Sequence, residues 1–212
     1  WPLGKLMLTM GIPTLVAQLI NILYNIVDRS FIGHIEGIGA NALTGVGLAM
    51  PVIIIITAFS SFVSGGGAPL ASIALGKGDR ERAERILGNG FLALLIMSVL
   101  LMIVFYAIKE PFLYLIGGSD ATYPYANDYI SIYLMGTVFV QLTVGLNTFI
   151  TAQGKSATAM ISVLIGAVLN MILDPIFIFV FNMGVKGAAY ATIISQACSA
   201  AWVLHFLFSK KA

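Results

Sequence analysis

From about residue 42 to 66 the chain reads ALTGVGLAMPVIIIITAFSSFVSGG, without one charged side chain. A helix needs about 20 mostly apolar residues to cross the hydrocarbon core of a bilayer, where each backbone N–H and C=O must be paired inside the segment. Five other segments meet the same test, at about 8–33, 86–108, 126–150, 157–181 and 187–208. Polar punctuation separates them: HIEGIGAN, GKGDRERAER, KEPFLYLIGGSDATYP, AQGKS and NMGVKG. A membrane β-barrel would need alternating strands of about ten residues, and PVIIIITAFSSFV does not alternate. The expected fold is therefore all-α, a polytopic membrane bundle of six transmembrane helices forming one lobe over residues 1–212.

Composition removes the soluble classes. Hydrophobic residues make up 59% of the chain and charged residues 9%, against about 25% charged in a soluble domain. Mean hydropathy is +0.98. The single cysteine, Cys198, supports neither a disulfide framework nor a thiolate metal cluster. The start, WPLGKLML, lacks the layout of a cleavable signal, and without an initiator methionine it suggests a trimmed chain or a fragment.

Basic residues set the expected orientation. Lys5, Lys77, Arg80, Arg82, Arg85, Lys155, Lys210 and Lys211 fall on one side of the six spans, Lys109 and Lys186 on the other. The positive-inside rule places both termini in the cytoplasm of a multi-pass protein in the cell membrane. The GDRERAERIL stretch reads as a solvated cytoplasmic helix, with Asp79 as N-cap and Arg80–Glu84 and Glu81–Arg85 as i,i+4 pairs. It has no phosphate-loop spacing, and no nucleic-acid partner is expected. Tyr106, Tyr114, Tyr123, Tyr125 and Tyr129 read as an interfacial aromatic belt.

Polar stripes carry the functional reading. Gln18, Asn21, Asn25 and Asp28 share one face of the first span, and Ser162, Gly166, Asn170 and Asp174 share one face of the fifth. Thr192, Ser195, Gln196 and Ser199 line the sixth. An aspartate at the centre of a span costs about 2.5–3.5 kcal/mol on insertion scales and faces the bundle interior or a wet cavity. Two such carboxylates with amide and hydroxyl oxygens nearby can hold a proton or an oxygen-coordinated cation. The amides Gln18, Asn21, Asn25 and Gln196 read either as cavity lining or as hydrogen-bond glue between helices. Gly166 and Gly33 read as close-packing positions, and Pro13 and Pro175 as bending points. Arg29 lies about 100° around the helix from Asp28 and reads as a snorkelling interfacial residue rather than its partner. His34 and His205 are the only histidines, and no nucleophile–base arrangement can be argued, so an enzyme is not expected.

VDRSFIGHIEGIGANALTGVGLAMPV, ALGKGDRERAERILGNG, TAQGKSATAMISVLIGAVLNMILDPIFIF and MGVKGAAYATIISQ resemble, in order, segments of the multidrug and toxic compound extrusion family. The resemblance implies that Asp28, Asn170, Asp174 and Thr192 match the positions that bind the coupling proton or sodium ion, and that Pro13 matches a proline where the first helix bends. It implies secondary-active antiport of amphipathic or cationic drugs through a cavity between two six-helix lobes, driven by H⁺ or Na⁺ with no other cofactor. Family members have about twelve spans, so this chain resembles the N-terminal lobe alone. The expected partners are a second lobe (a C-terminal half or another copy), drug-like organic cations and membrane lipid. Two rival readings stay open: a half-length module that assembles but moves nothing, and a lipid-linked substrate flippase of the same superfamily.

Overall fold

A computed structural model describes residues 3–209, apart from the side chains of Leu3, Lys5 and Leu6. The orientation readings on the Lys5 side chain, Lys210 and Lys211 lie outside the described residues. Seven α-helices follow one another: α1 (Leu3–Gly33), α2 (Gly39–Gly76), α3 (Arg80–Leu115), α4 (Tyr123–Met135), α5 (Thr137–Ala152), α6 (Ser156–Pro175) and α7 (Val185–Leu207). A π-helical turn, Ile176–Val180, extends α6. No strand occurs among the described residues.

Among the described residues, five helices are long and apolar enough to cross a membrane, and α4 with α5 makes a sixth span if the bent pair crosses as one. The expected continuous helix over 126–150 is thus corrected to two helices meeting at 61° around Gly136. A Cβ at Gly136 would lie 2.5 Å from Ile193 Cγ1, so α7 presses into the chain where glycine already weakens a helix. Hydropathy cannot report such a bend. It also underestimates α3, whose amphipathic first turns continue the helix into the GDRERAERIL stretch. Asp79 accepts from Arg82 N at 3.1 Å as the expected N-cap, Arg80–Glu84 pairs at 3.9 Å, and Arg85 bonds Glu81.

Helix ends are closed by the residues expected to punctuate them. At the end of α2, Asp79 N donates to Ala74 O at 2.9 Å and Gly78 N to Leu75 O at 3.0 Å. This wrap needs a left-handed residue, and Gly78 supplies it at φ +77°. Gly154, at φ +78°, does the same after α5. These two turns and the end of α7 gather at one end of the bundle around a shared cavity. At the opposite end, Lys186 pairs with Asp128 at 3.5 Å and Lys109 donates to Ser131 Oγ at 2.5 Å.

Two apolar clusters form the core. One joins Ile32, Val46, Ile56, Phe105 and Ile130, and the other Ala68, Leu94, Leu146, Phe149 and Val203. Between α2 and α5, Gln141 is fully buried, donating from Nε2 to Ile56 O at 3.0 Å and accepting from Ser60 Oγ. Further along α5, Thr143 Oγ1 donates to Gln196 O at 3.2 Å on α7, and Asn147 Nδ2 to Ala159 O at 3.2 Å on α6. One helix thereby bonds three neighbours through side chains. By contrast, α1 packs chiefly on α6 and turns Leu15, Leu19 and Leu23 outward.

The aromatic belt needs one correction. Tyr106 and Tyr114 are exposed, but Tyr129 is buried, its ring 6.1 Å from that of Tyr133. Positions 126, 129, 130 and 133 form the inward face of α4, so the residue's place on the helix outweighs its interfacial preference.

Candidate ion site

Burial and periodicity together bring the first and fifth spans' carboxylates into one place. Asp28 lies five residues before the end of α1, and Asp174 one residue before the end of α6. The two residues are 8% and 0% exposed, and their carboxyls lie close enough to feel each other's charge. Two bare carboxylates cannot bond; a proton shared between them, or a cation bridging them, converts that contact into an attractive one. Asn170, one turn before Asp174 and also buried, donates from Nδ2 to Asp174 Oδ1 at 3.1 Å. Asp28 Oδ1, Asp174 Oδ2 and Asn170 Oδ1 are buried oxygens that receive no hydrogen bond from the protein. Such groups are rare in a packed interior and call for a donor or a cation.

Thr192 donates to Ala188 O at 2.9 Å on its own helix. Tyr129, buried on α4, lies near both Thr192 and Asp28. Tyr24, beside Asn25, also stands in the field of both aspartates. Sequence reading assigned neither tyrosine to the site. The signal available for Tyr129 was its place on the Ala126–Ile130–Tyr133 face, and for Tyr24 its position one turn before Asp28.

The amides of α1 differ in their surroundings. Gln18 is exposed. Asn25 Nδ2 donates to Asn21 O at 2.7 Å within the same helix, so these two do not join helices together. None of Gln18, Asn21, Asn25 or Gln196 lines the large cavity, which lies at the other end of the bundle. Gln196 does keep a buried, unpartnered Oε1 one turn beyond Thr192. Pro13 sits inside a continuous α1 with no break, whereas α6 gives way to its π-helical turn directly after Pro175.

Gly166 is a close-packing position: a Cβ there would lie 2.6 Å from Ser199 Oγ. Gly33 is not, since its added Cβ would meet Leu43 Cδ2 at an ordinary 3.8 Å. It is Gly39 that approaches closely, an added Cβ falling 2.1 Å from Gly33 O. Arg29 is exposed and makes no ion pair among the described residues, so the adjacent Asp28 and Arg29 serve different surroundings.

Comparison with known proteins agrees with this architecture. The multidrug export protein MepA of Staphylococcus haemolyticus is 28% identical over 207 residues, covering 98% of this chain and 45% of that protein. MepA of Staphylococcus aureus is 26% identical, over 97% of this chain and 46% of its own length. A crystal structure of a MATE protein in a bent conformation superposes with a TM-score of 0.90 at 27% identity, over 98% of this chain and 46% of that one. The chain thus spans about half the length of the relatives it matches. The MatE family model matches residues 13–176, and the chain belongs to that family of multidrug and toxic compound extrusion transporters.

Proposed function

We propose that this chain is the ion-coupling lobe of a secondary-active multidrug antiporter, which admits H⁺ or Na⁺ and expels amphipathic or cationic drugs. The observation that carries the reading is the buried Asp28–Asp174 pair with Asn170 bonded to one of its members. Asp28, Asp174 and Asn170 hold the ion, with Thr192 nearby on α7. Both termini face the cytoplasm, in keeping with Lys77, Arg80, Arg82, Arg85 and Lys155 at the cavity end of the bundle. A second six-helix lobe completes the drug path, and the apolar faces of α1 and α2, with Ile54 and Phe62 exposed, are available to it or to lipid.

Asp28→Asn and Asp174→Asn test the assignment in the full-length transporter. Each keeps the side-chain shape and removes the titrating group. Efflux of a fluorescent organic cation driven by an imposed pH gradient should fall to background in both variants. Wild-type efflux in both would refute the role of the pair. Repeating the assay with a sodium gradient at constant pH separates the two ions, and reconstituting the 212-residue chain alone tests whether one lobe moves anything.

A further inference from the structure

We propose that a file of buried waters runs through this lobe along α5, α6 and α7 and carries protons between the Asp28–Asp174 pair and the basic end of the bundle. The inference rests on the reading of that pair as the ion site and takes the proton as the ion. Among the described residues, every buried side-chain nitrogen or oxygen without a hydrogen-bond partner belongs to Asp28 or to α5, α6 or α7. By contrast Ser60 and Ser98, buried on α2 and α3, are both bonded. Buried polar groups that the protein leaves unbonded are the ones that hold ordered water, at about three hydrogen bonds per water.

The unpartnered groups are strung out in one direction. Asp174 Oδ2 and Asn170 Oδ1 come first, then Gln196 Oε1 and Ser195 Oγ, then Asn147 Oδ1 and Trp202 Nε1, and last Ser156 Oγ at the start of α6. Packing fixes that order. An added Cβ at Gly166 would lie 2.6 Å from Ser199 Oγ and 3.8 Å from Ser195 O, which sets Ser195 level with α6 one turn beyond Asn170. Thr143 Oγ1 donates to Gln196 O at 3.2 Å and brings α5 in at the same height. Further on, Ser199 Oγ donates to Ser162 O at 2.8 Å, while Ser162 Oγ (2.8 Å) and Asn147 Nδ2 (3.2 Å) share Ala159 O. Ser195 and Ser156 are 2% and 3% exposed, so bulk water does not serve them.

Asp174 to Ser156 measures about 27 Å at 1.5 Å per residue, close to the about 30 Å of the hydrocarbon core. Successive rungs lie about one turn, ~5.4 Å, apart, too long for a direct hydrogen bond and the right reach for one bridging water. No charged side chain occurs on α5, on α6 before Asp174 or on α7 between Lys186 and His205, so none on these helices traps or repels a proton along the file. The amide oxygens of Asn170, Gln196 and Asn147 accept from water and hold it in place. Water and the hydroxyls of Ser195 and Ser156 pass the proton, each oxygen taking one and releasing another, so that one proton leaves the pair for each that emerges.

The test is ethidium transport by the full-length transporter in proteoliposomes, measured in two modes. Net efflux driven by a pH gradient needs proton passage; exchange of labelled for unlabelled ethidium at equal pH does not. Asn147→Leu and Ser195→Val each put an apolar side chain on the file, at different heights. Each should slow net efflux about tenfold, as expected for one lost rung, with exchange kept at the wild-type rate. Wild-type net efflux in either variant would overturn the proposal, and so would an equal loss of efflux and exchange, the mark of a packing role. Asp28→Asn is the reference. If it sustains wild-type efflux, the ion-coupling reading falls and the file with it; if it abolishes efflux while the two file variants run normally, the file alone is refuted. Wild-type efflux that follows a sodium gradient and ignores pH would likewise exclude a proton route.

Discussion

The tightest contact between α6 and α7 gives a quantitative test of the packing behind the site. Ser199 Oγ donates to Ser162 O at 2.8 Å, and Gly166 leaves the space that the hydroxyl occupies. In Gly166→Ala the new methyl would sit 2.6 Å from that oxygen, so either the hydrogen bond breaks or the helices separate. Overpacking of this kind costs about 1–3 kcal/mol. Ser199→Ala alone loses one interhelical hydrogen bond, about 0.6 kcal/mol in a membrane helix pair. Once Ser199 Oγ is gone, the nearest atoms to the added methyl are Ser195 O and Ser199 Cβ, both at an ordinary 3.8 Å. Alanine also favours the helix by about 0.8–1 kcal/mol over glycine. The double variant should therefore be at least as stable as Ser199→Ala, giving a coupling of about 1–3 kcal/mol. Reversible unfolding of the four proteins in mixed detergent–SDS micelles measures it. Additivity within about 0.5 kcal/mol would show that the glycine is not there to admit the serine.

Three other substitutions probe separate parts of the bundle. Gln141→Leu removes both bonds of the buried amide to α2 and should destabilise by about 1–3 kcal/mol in the same unfolding assay, with most of the Ser60→Ala effect absorbed in the double variant. Asp79→Ala removes the α3 cap and should cost about 1 kcal/mol, seen as faster amide exchange at Arg82. Arg29→Gln should leave stability within about 0.5 kcal/mol of wild type, because the exposed guanidinium makes no ion pair among the described residues.

Much of this fold was legible because membrane helices obey a severe rule: long apolar runs with internal hydrogen bonds. Asp28 and Asp174 were legible for the complementary reason, since carboxylates stand out in such runs and their spacing fixes the face they share with Asn21, Asn25 and Asn170. What spacing cannot give is which faces meet. The chain could show two acidic seams, but only the packing of α1 on α6 puts them together. Gln141 was invisible because its partners, Ser60 and Ile56, lie over 80 residues away. Tyr129 was misplaced because a tyrosine near a span's end has a good interfacial reading, which α4's packing overrides. Gln18, on the same face of α1, is exposed within this lobe.

The setting of α1 bears on the proposed coupling. Side-chain hydrogen bonds tie α5 to α2, α6 and α7, whereas those of Thr14 and Asn25 stay within α1. The polar contact of α1 with α6 is the carboxyl pair, and its sign depends on what lies between the two groups. Sharing a proton, Asp28 and Asp174 attract. With both bare, two unit charges at about 4 Å repel by about 4 kcal/mol at an effective dielectric of 20. That swing is as large as the differential affinity needed to move a two-state helix by a factor of several hundred. On the proposed reading, occupancy of the site would therefore act directly on the contact of α1 with its main neighbour, α6.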